Sequence, residues 1–369
     1  MSNNHPYLLT MKRFYFSFSL FISTLLIFQT ACKPADDTPA TDTYSKGVYI
    51  TNEGKFPNGT GDVSFYNRNV GGITTDIFAK GNSGASAGNI VQSMTYLNRD
   101  TAFLVVNNAN KILMVNPRTF QVFDSIICSY PRYVSIINAT RGYVTSWLPG
   151  SKVTDSVFVL NFNTKTFLKA VPVNGFGPDK MLAYGYKRYV INSGGFNYTA
   201  ADSSVTVFDA ANIYADTVLT QIKVGAAPNS IVSDGNLDIW VLCGNLYGGG
   251  AGKLVQIKND VVVATFNVPN GSSNLTTDVS GNNLYYLVGN QIYTKNLLNF
   301  SANPPQLFMT QPYFVSLYGL SFDPTSGYMY CTDAKDYSSR GSLYIFDATT
   351  KTLKDSVKVG VAPSNFSFN

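Results

Sequence analysis

A seven-bladed, all-β propeller of four-stranded antiparallel blades is the fold this sequence predicts, and three observations predict it. A unit of strand, Gly-rich loop, two further strands and Gly-x-x-Pro returns about seven times, at a period near 46 residues. The composition is that of a strand protein, with 14% aromatic and only 13% charged residues among 369. The phase of the unit also brings the last strand beside the first, which closes a ring and hides sheet edges.

Residues 1–31 read as an address. Lys12 and Arg13 precede an apolar run from Phe14 to Phe28 and small residues before Cys32, the order of a secretory signal. The run is short for a membrane span, which needs roughly 20 residues, and Met11 offers a second start. The segment resembles a bacterial lipoprotein signal, which implies that Cys32 carries the lipid. Lys33–Asp37 resembles the export signal of lipoproteins displayed on the outer face of some outer membranes. Residues 32–46 are expected to be a lipidated cysteine and flexible tether, rich in Asp, Thr, Pro and Ala, and residues 47–369 the propeller.

The second strand of each blade is the most visible element, at 47–52, 102–107, 142–147, 187–192, 237–242, 283–288 and 327–333. Third strands follow at 63–67, 112–116, 157–161, 205–209 and 343–347. Short apolar runs at this spacing, punctuated by Gly and Pro, indicate propeller blades. Val361–Phe368 matches the strand after Gly-x-x-Pro at 224–232, so the C-terminus is expected to supply the innermost strand of the first blade.

Asn52-Glu53-Gly54, Pro228-Asn229-Ser230, Trp240–Gly244 and Asp333–Tyr337 with Arg340-Gly341 resemble the YVTN-type seven-bladed propeller lipoproteins of bacteria. The resemblance covers nearly the whole chain after the signal. It implies a surface protein that captures a corrinoid such as vitamin B12 and passes it to a TonB-dependent outer-membrane transporter. The alternative is an interaction scaffold or adhesion-type envelope propeller.

In such a ring, the loops between second and third strands and the loops entering inner strands open on one face. The first set carries Phe56, Trp147, Phe196, Tyr198, Tyr247, Tyr337 and Arg340. The second carries Tyr130, Arg132, Phe176, Tyr313, Phe314 and Tyr318. Aromatics gathered on loops are expected to bind a large, partly apolar ligand.

Other chemistry is poorly supplied. The only His is His5 and the only Glu is Glu53, so neither a His-activated nucleophile nor a His–Cys zinc site is expected. Gly248–Lys253 lacks the first Gly and final Ser/Thr of a phosphate loop. Asp333 and Asp336 lack calcium-loop spacing and read as turn caps. Cys128, Cys243 and Cys331 read as buried thiols. Loss of Lys12 and Arg13 leaves 25 basic against 22 acidic residues, too weak an excess for nucleic acid. A non-enzymatic binding protein with no cofactor and no metal is therefore expected.

Overall fold

A computed structural model describes residues 43–148, 155–197, 201–211, 215–246, 248–298 and 304–369. All belong to the unit Asp42–Asn369. The predicted signal, Cys32 and most of the tether lie outside the described residues, as do Tyr198 and Tyr247.

Seven four-stranded antiparallel sheets form the ring. The inner strands are Val91–Asn98, Pro131–Asn138, Pro178–Tyr184, Pro228–Ser233, Ser273–Thr277, Leu317–Phe322 and Pro363–Phe368. Four of them begin with Pro, whose missing N–H is harmless at a strand's first residue. Pro363–Phe368 pairs with Gly47–Asn52, in register Ile50 with Phe366 and Val48 with Phe368. The C-terminal strand therefore completes blade 1 as the repeat phase predicts.

The second strands read as unbroken apolar runs because both of their faces are covered. In blade 2, Ala102, Leu104 and Val106 pack toward blade 1, while Phe103 and Val105 pack toward blade 3. Seven apolar clusters of this kind sit between neighbouring blades around the ring. Each fully buried Val, Leu or Phe contributes about 1.5–3 kcal/mol. Cys128, Cys243 and Cys331 are free and buried, and burial pushes the Cys128 and Cys243 thiols up to about 12.

Tyr44, assigned to the tether, instead packs edge-on against Phe65 and Phe120 in the first of these clusters. Its carbonyl accepts the Tyr49 hydroxyl at 2.6 Å. Tyr44 therefore fills a gap between the first two blades just before the strand that opens at Gly47. Among the described residues, no helix is long and apolar enough to cross a membrane.

Candidate functional site

Every inner strand begins with a β-bulge. Its register with the second strand slips between Val91 and Ser93, Pro131 and Val134, and Pro178 and Met181. The same slip falls between Pro228 and Ser230, Ser273 and Thr276, and Leu317 and Gly319. In blade 1 the partners of Thr51 and Asn52 are Asn365 and Pro363, skipping Ser364. A bulged residue leaves the ladder and its side chain is re-aimed. The second residues of the seven inner strands are Gln92, Arg132, Asp179, Asn229, Asn274, Tyr318 and Ser364. All seven line one cavity of about 530 Å3 at the mouth of the central channel.

The mouth is held in shape by its own backbone. Ile90, Tyr130, Ala227 and Ala362, each preceding an inner strand, take left-handed φ of 60°, 41°, 53° and 50°. Their carbonyls accept the N–H groups of Asn107, Trp147, Gly244 and Glu53, the first residues past the second strands. Such backbone costs about 1 kcal/mol or more per residue and gathers at functional sites. Side-chain amides then tie neighbouring blades together. Asn365 donates to the Gln92 carbonyl at 2.9 Å and Asn107 to Pro131 at 2.9 Å. Asn229 donates to Ser272 and Asn274 to Tyr318, both at 2.8 Å.

Inside this frame lies a cluster of charges. Arg132 donates from Nη1 to Gln92 and from Nη2 to Asp179 Oδ2 at 3.3 Å. Its guanidinium carbon stands 3.8 Å from the centre of the Trp147 ring, a close cation–π contact. Burial opposes the Arg132 charge, but Asp179, Tyr133 and Glu53 outweigh it and hold its pKa high. The Tyr318 hydroxyl donates to Glu53 Oε2 at 2.9 Å. Burial pushes the Glu53 carboxyl up, against the downward pull of Tyr318, Arg132 and Ser364. Lys180 lines the same cavity, and burial lowers its pKa despite the nearby Asp179. Three buried polar atoms have no hydrogen-bond partner: Asp179 Oδ1, Arg132 Nε and Trp147 Nε1. Unmade bonds of this kind cost about 1–3 kcal/mol each unless something supplies the partner.

Above the charges stands an apolar rim. Phe56 is 70% and Leu246 57% exposed, and Phe196 meets the Trp147 ring edge-on at 5.5 Å. The Phe196 loop is seated by glycines: a Cβ on Gly177, whose φ is +62°, would fall 2.0 Å from the Gly195 nitrogen. Aromatic and apolar groups over a polar floor suit an amphiphilic small molecule, and the volume falls in the usual range for ligand sites.

Of the residues singled out in the sequence, Phe56, Arg132, Trp147, Phe196 and Tyr318 line the cavity. Tyr130 supports it from behind, edge-on to Phe196 at 5.2 Å. Phe176 is half-buried beside the cavity, its N–H given to Asp202. Three others stand back from the cavity because blade 7 and the join to blade 1 use them. Tyr313 packs on Phe314 and Tyr344. Tyr337 packs on Tyr318, and its hydroxyl meets Ser316 Oγ at 2.9 Å. Arg340 pairs with Asp76 at 2.9 Å. Asp333 and Asp336 cap turns, accepting the N–H groups of Lys335 and Ser339 among others. No group of three or more metal-binding side chains gathers among the described residues.

Gln92, Tyr133, Asp179 and Lys180 belong to the cavity but were not singled out. Their signal is positional: the one or two residues after the opening residue of each inner strand are the bulged ones. The expected shortage of acid–base groups is also corrected here, since two carboxyls and two cations share this cavity.

The family model for a domain of unknown function, DUF5074, matches residues 46–366. No curated protein sequence matches the chain. Among solved structures it is similar to a candidate 6-phosphogluconolactonase from Bacteroides fragilis. That match has 12% identity and a TM-score of 0.63, over 89% of this chain and 99% of that one. It is similar to the periplasmic gluconolactonase of Pseudomonas aeruginosa at 15% identity and a TM-score of 0.63, over 87% and 99%. Kuenenia stuttgartiensis hydrazine synthase matches at 15% identity and a TM-score of 0.59, over 73% and 87%. Identities this low carry the propeller fold and nothing further.

Proposed function

The chain belongs to the DUF5074 family, and from that premise we propose that it is a ligand-binding propeller whose channel mouth captures a small amphiphilic molecule. One observation carries the reading: seven bulged inner-strand residues converge on a single preformed cavity that keeps unpaired polar atoms in its wall. Unpaired polar atoms in the wall of a half-closed site favour a ligand that completes them.

The resemblance to YVTN-type lipoproteins extends the reading to a non-enzymatic surface protein anchored through Cys32. It would present a corrinoid to a TonB-dependent outer-membrane transporter. A corrinoid exceeds the cavity, so it would lie across the mouth with its apolar faces on Phe56, Phe196 and Leu246 and its amide groups toward the polar floor. Calorimetry with cobalamin, cobinamide and haem tests this. Saturable heat lost in Trp147→Ala supports capture, and no heat with any of the three removes the corrinoid.

A second reading is favoured by Glu53, a carboxyl raised by burial beside Arg132, which is suited to general acid–base work. It would make the chain an enzyme, as the two gluconolactonase-named neighbours are described. Hydrolysis of gluconolactone abolished by Glu53→Gln would favour it, and turnover unchanged by that substitution would remove it.

A further inference from the structure

Lys180 follows Asp179 in the bulge that opens the inner strand Pro178–Tyr184, and both residues line the same cavity. Its ammonium makes no hydrogen bond or ion pair among the described residues; only Asp179 and Arg132 act on it, through space. Neither carboxylate of the cavity bonds it directly. Asp179 Oδ2 is taken by Arg132, and Glu53 is held by Tyr318. An ammonium with no direct hydrogen-bonded partner in a half-closed cavity favours an arriving anion.

The unpaired atoms of the cavity's lining residues specify more. Arg132 Nε and Trp147 Nε1 are buried donors without acceptors, and Asp179 Oδ1 is an acceptor without a donor. Asp179 is only 6% exposed, so bulk water does not stand in for the missing partner. The residues of these two donors and of Lys180 line one cavity with the single acceptor of Asp179, a set that complements a negatively charged oxygen group next to a hydroxyl.

We infer that the ligand of the channel mouth carries an oxyanion, a carboxylate or a phosphate ester, flanked by a hydroxyl, and that Lys180 holds the oxyanion while Asp179 takes the hydroxyl. This rests on the binding reading of the mouth and adds the chemical class of what enters it. Burial and Arg132 pull the Lys180 ammonium down and Asp179 restores part of its charge, so an arriving oxyanion strengthens the site's own cation. Tyr133 and Tyr318 also face the cavity, with hydroxyls kept protonated by burial.

The test is a titration of the full chain with gluconate, glucose 6-phosphate and glucose, followed by tryptophan fluorescence. Trp147 stands in the cavity wall, while Trp240 is buried in the core and serves as a silent reference. Gluconate or glucose 6-phosphate is expected to saturate the signal while glucose does not, and whichever charged sugar binds identifies the oxyanion. Lys180→Gln should weaken that binding by about tenfold or more without lowering the melting temperature, and Lys180→Arg should keep most of the binding. Equal binding by Lys180→Gln, equal binding of glucose, or no binding of either charged sugar overturns the inference. Cobinamide titrated in parallel judges the underlying reading. If it binds the wild type and Lys180→Gln alike but not Trp147→Ala, the mouth is a site and the oxyanion assignment fails. If no probe binds at all, both fail.

Discussion

Asp333 and Asp179 are buried carboxylates beside a lysine on the same loop-rich face of the ring, and they are finished differently. Asp333 accepts the N–H groups of Val315, Ser316 and Lys335. Lys335 Nζ spends its donors on Asp333 at 2.9 Å, Tyr344 Oη at 3.1 Å and the Tyr313 carbonyl at 3.2 Å. Nothing in that pair is left for a visitor. Asp179 has one contact of 3.3 Å and one empty oxygen, and Lys180 has none. The difference teaches that charge and burial do not mark function on this face. Completeness of hydrogen bonding separates a pair that fastens blade 7 from a pair that awaits a ligand.

The largest test of the contrast is stability. Asp333→Ala should cost about 3 kcal/mol or more, because it strands Lys335 and three backbone N–H groups. Asp179→Asn keeps an acceptor for Arg132 and strands no backbone N–H, so it should cost less, and denaturant unfolding of both variants gives the comparison. The reverse order would break it. Binding should sort the other way: Trp147→Ala should lose about 2 kcal/mol of ligand affinity, whereas Lys335→Gln should leave calorimetric affinity unchanged while lowering the melting temperature.

The pH dependence sharpens the contrast further. Burial raises the Asp333 pKa, but the N–H of Val315 and the Lys335 ammonium hold it below the ordinary carboxylate value. The stability it contributes is therefore present above the unfolded value of about 3.9 and is lost as pH falls through the folded pKa. Asp333→Asn should flatten the acid limb of a melting-temperature profile. Glu53, raised by burial, works in the opposite sense. Its folded form holds a proton more tightly, so stability falls as pH climbs from about 4.3 through the raised pKa. As the only Glu of the chain, it gives a single side-chain carboxyl resonance under selective 13C-glutamate labelling. The expected midpoint lies above the ordinary range. The smallest effect belongs to Tyr318→Phe, which removes one hydrogen bond from Glu53, about 1 kcal/mol, and should move that midpoint further up.

The ring was legible because its second strands are buried on both faces and so read as unbroken apolar runs, Thr101–Val106 among them. The aromatic rim was partly legible, since Trp147 and Phe196 stand on loops where burial does not explain them. The charged floor was not. Glu53 meets Tyr318 across 265 residues, and no local pattern reports such a contact. Asp179 and Lys180 follow Gly177-Pro178 with no residue pattern that marks them, because a bulge that re-aims them depends on strand pairing rather than residue type. Tyr313 and Arg340 carried the same surface signal as Trp147, and the packing of blade 7 absorbed them.

The central claim is that the channel mouth retains a small molecule. The direct measurement is mass spectrometry of what stays bound to the chain purified from its own cells, compared with the Trp147→Ala chain purified identically. One species retained near stoichiometrically by the wild type and absent from the variant is the predicted result. Equal retention by both chains, or none by either, would contradict it.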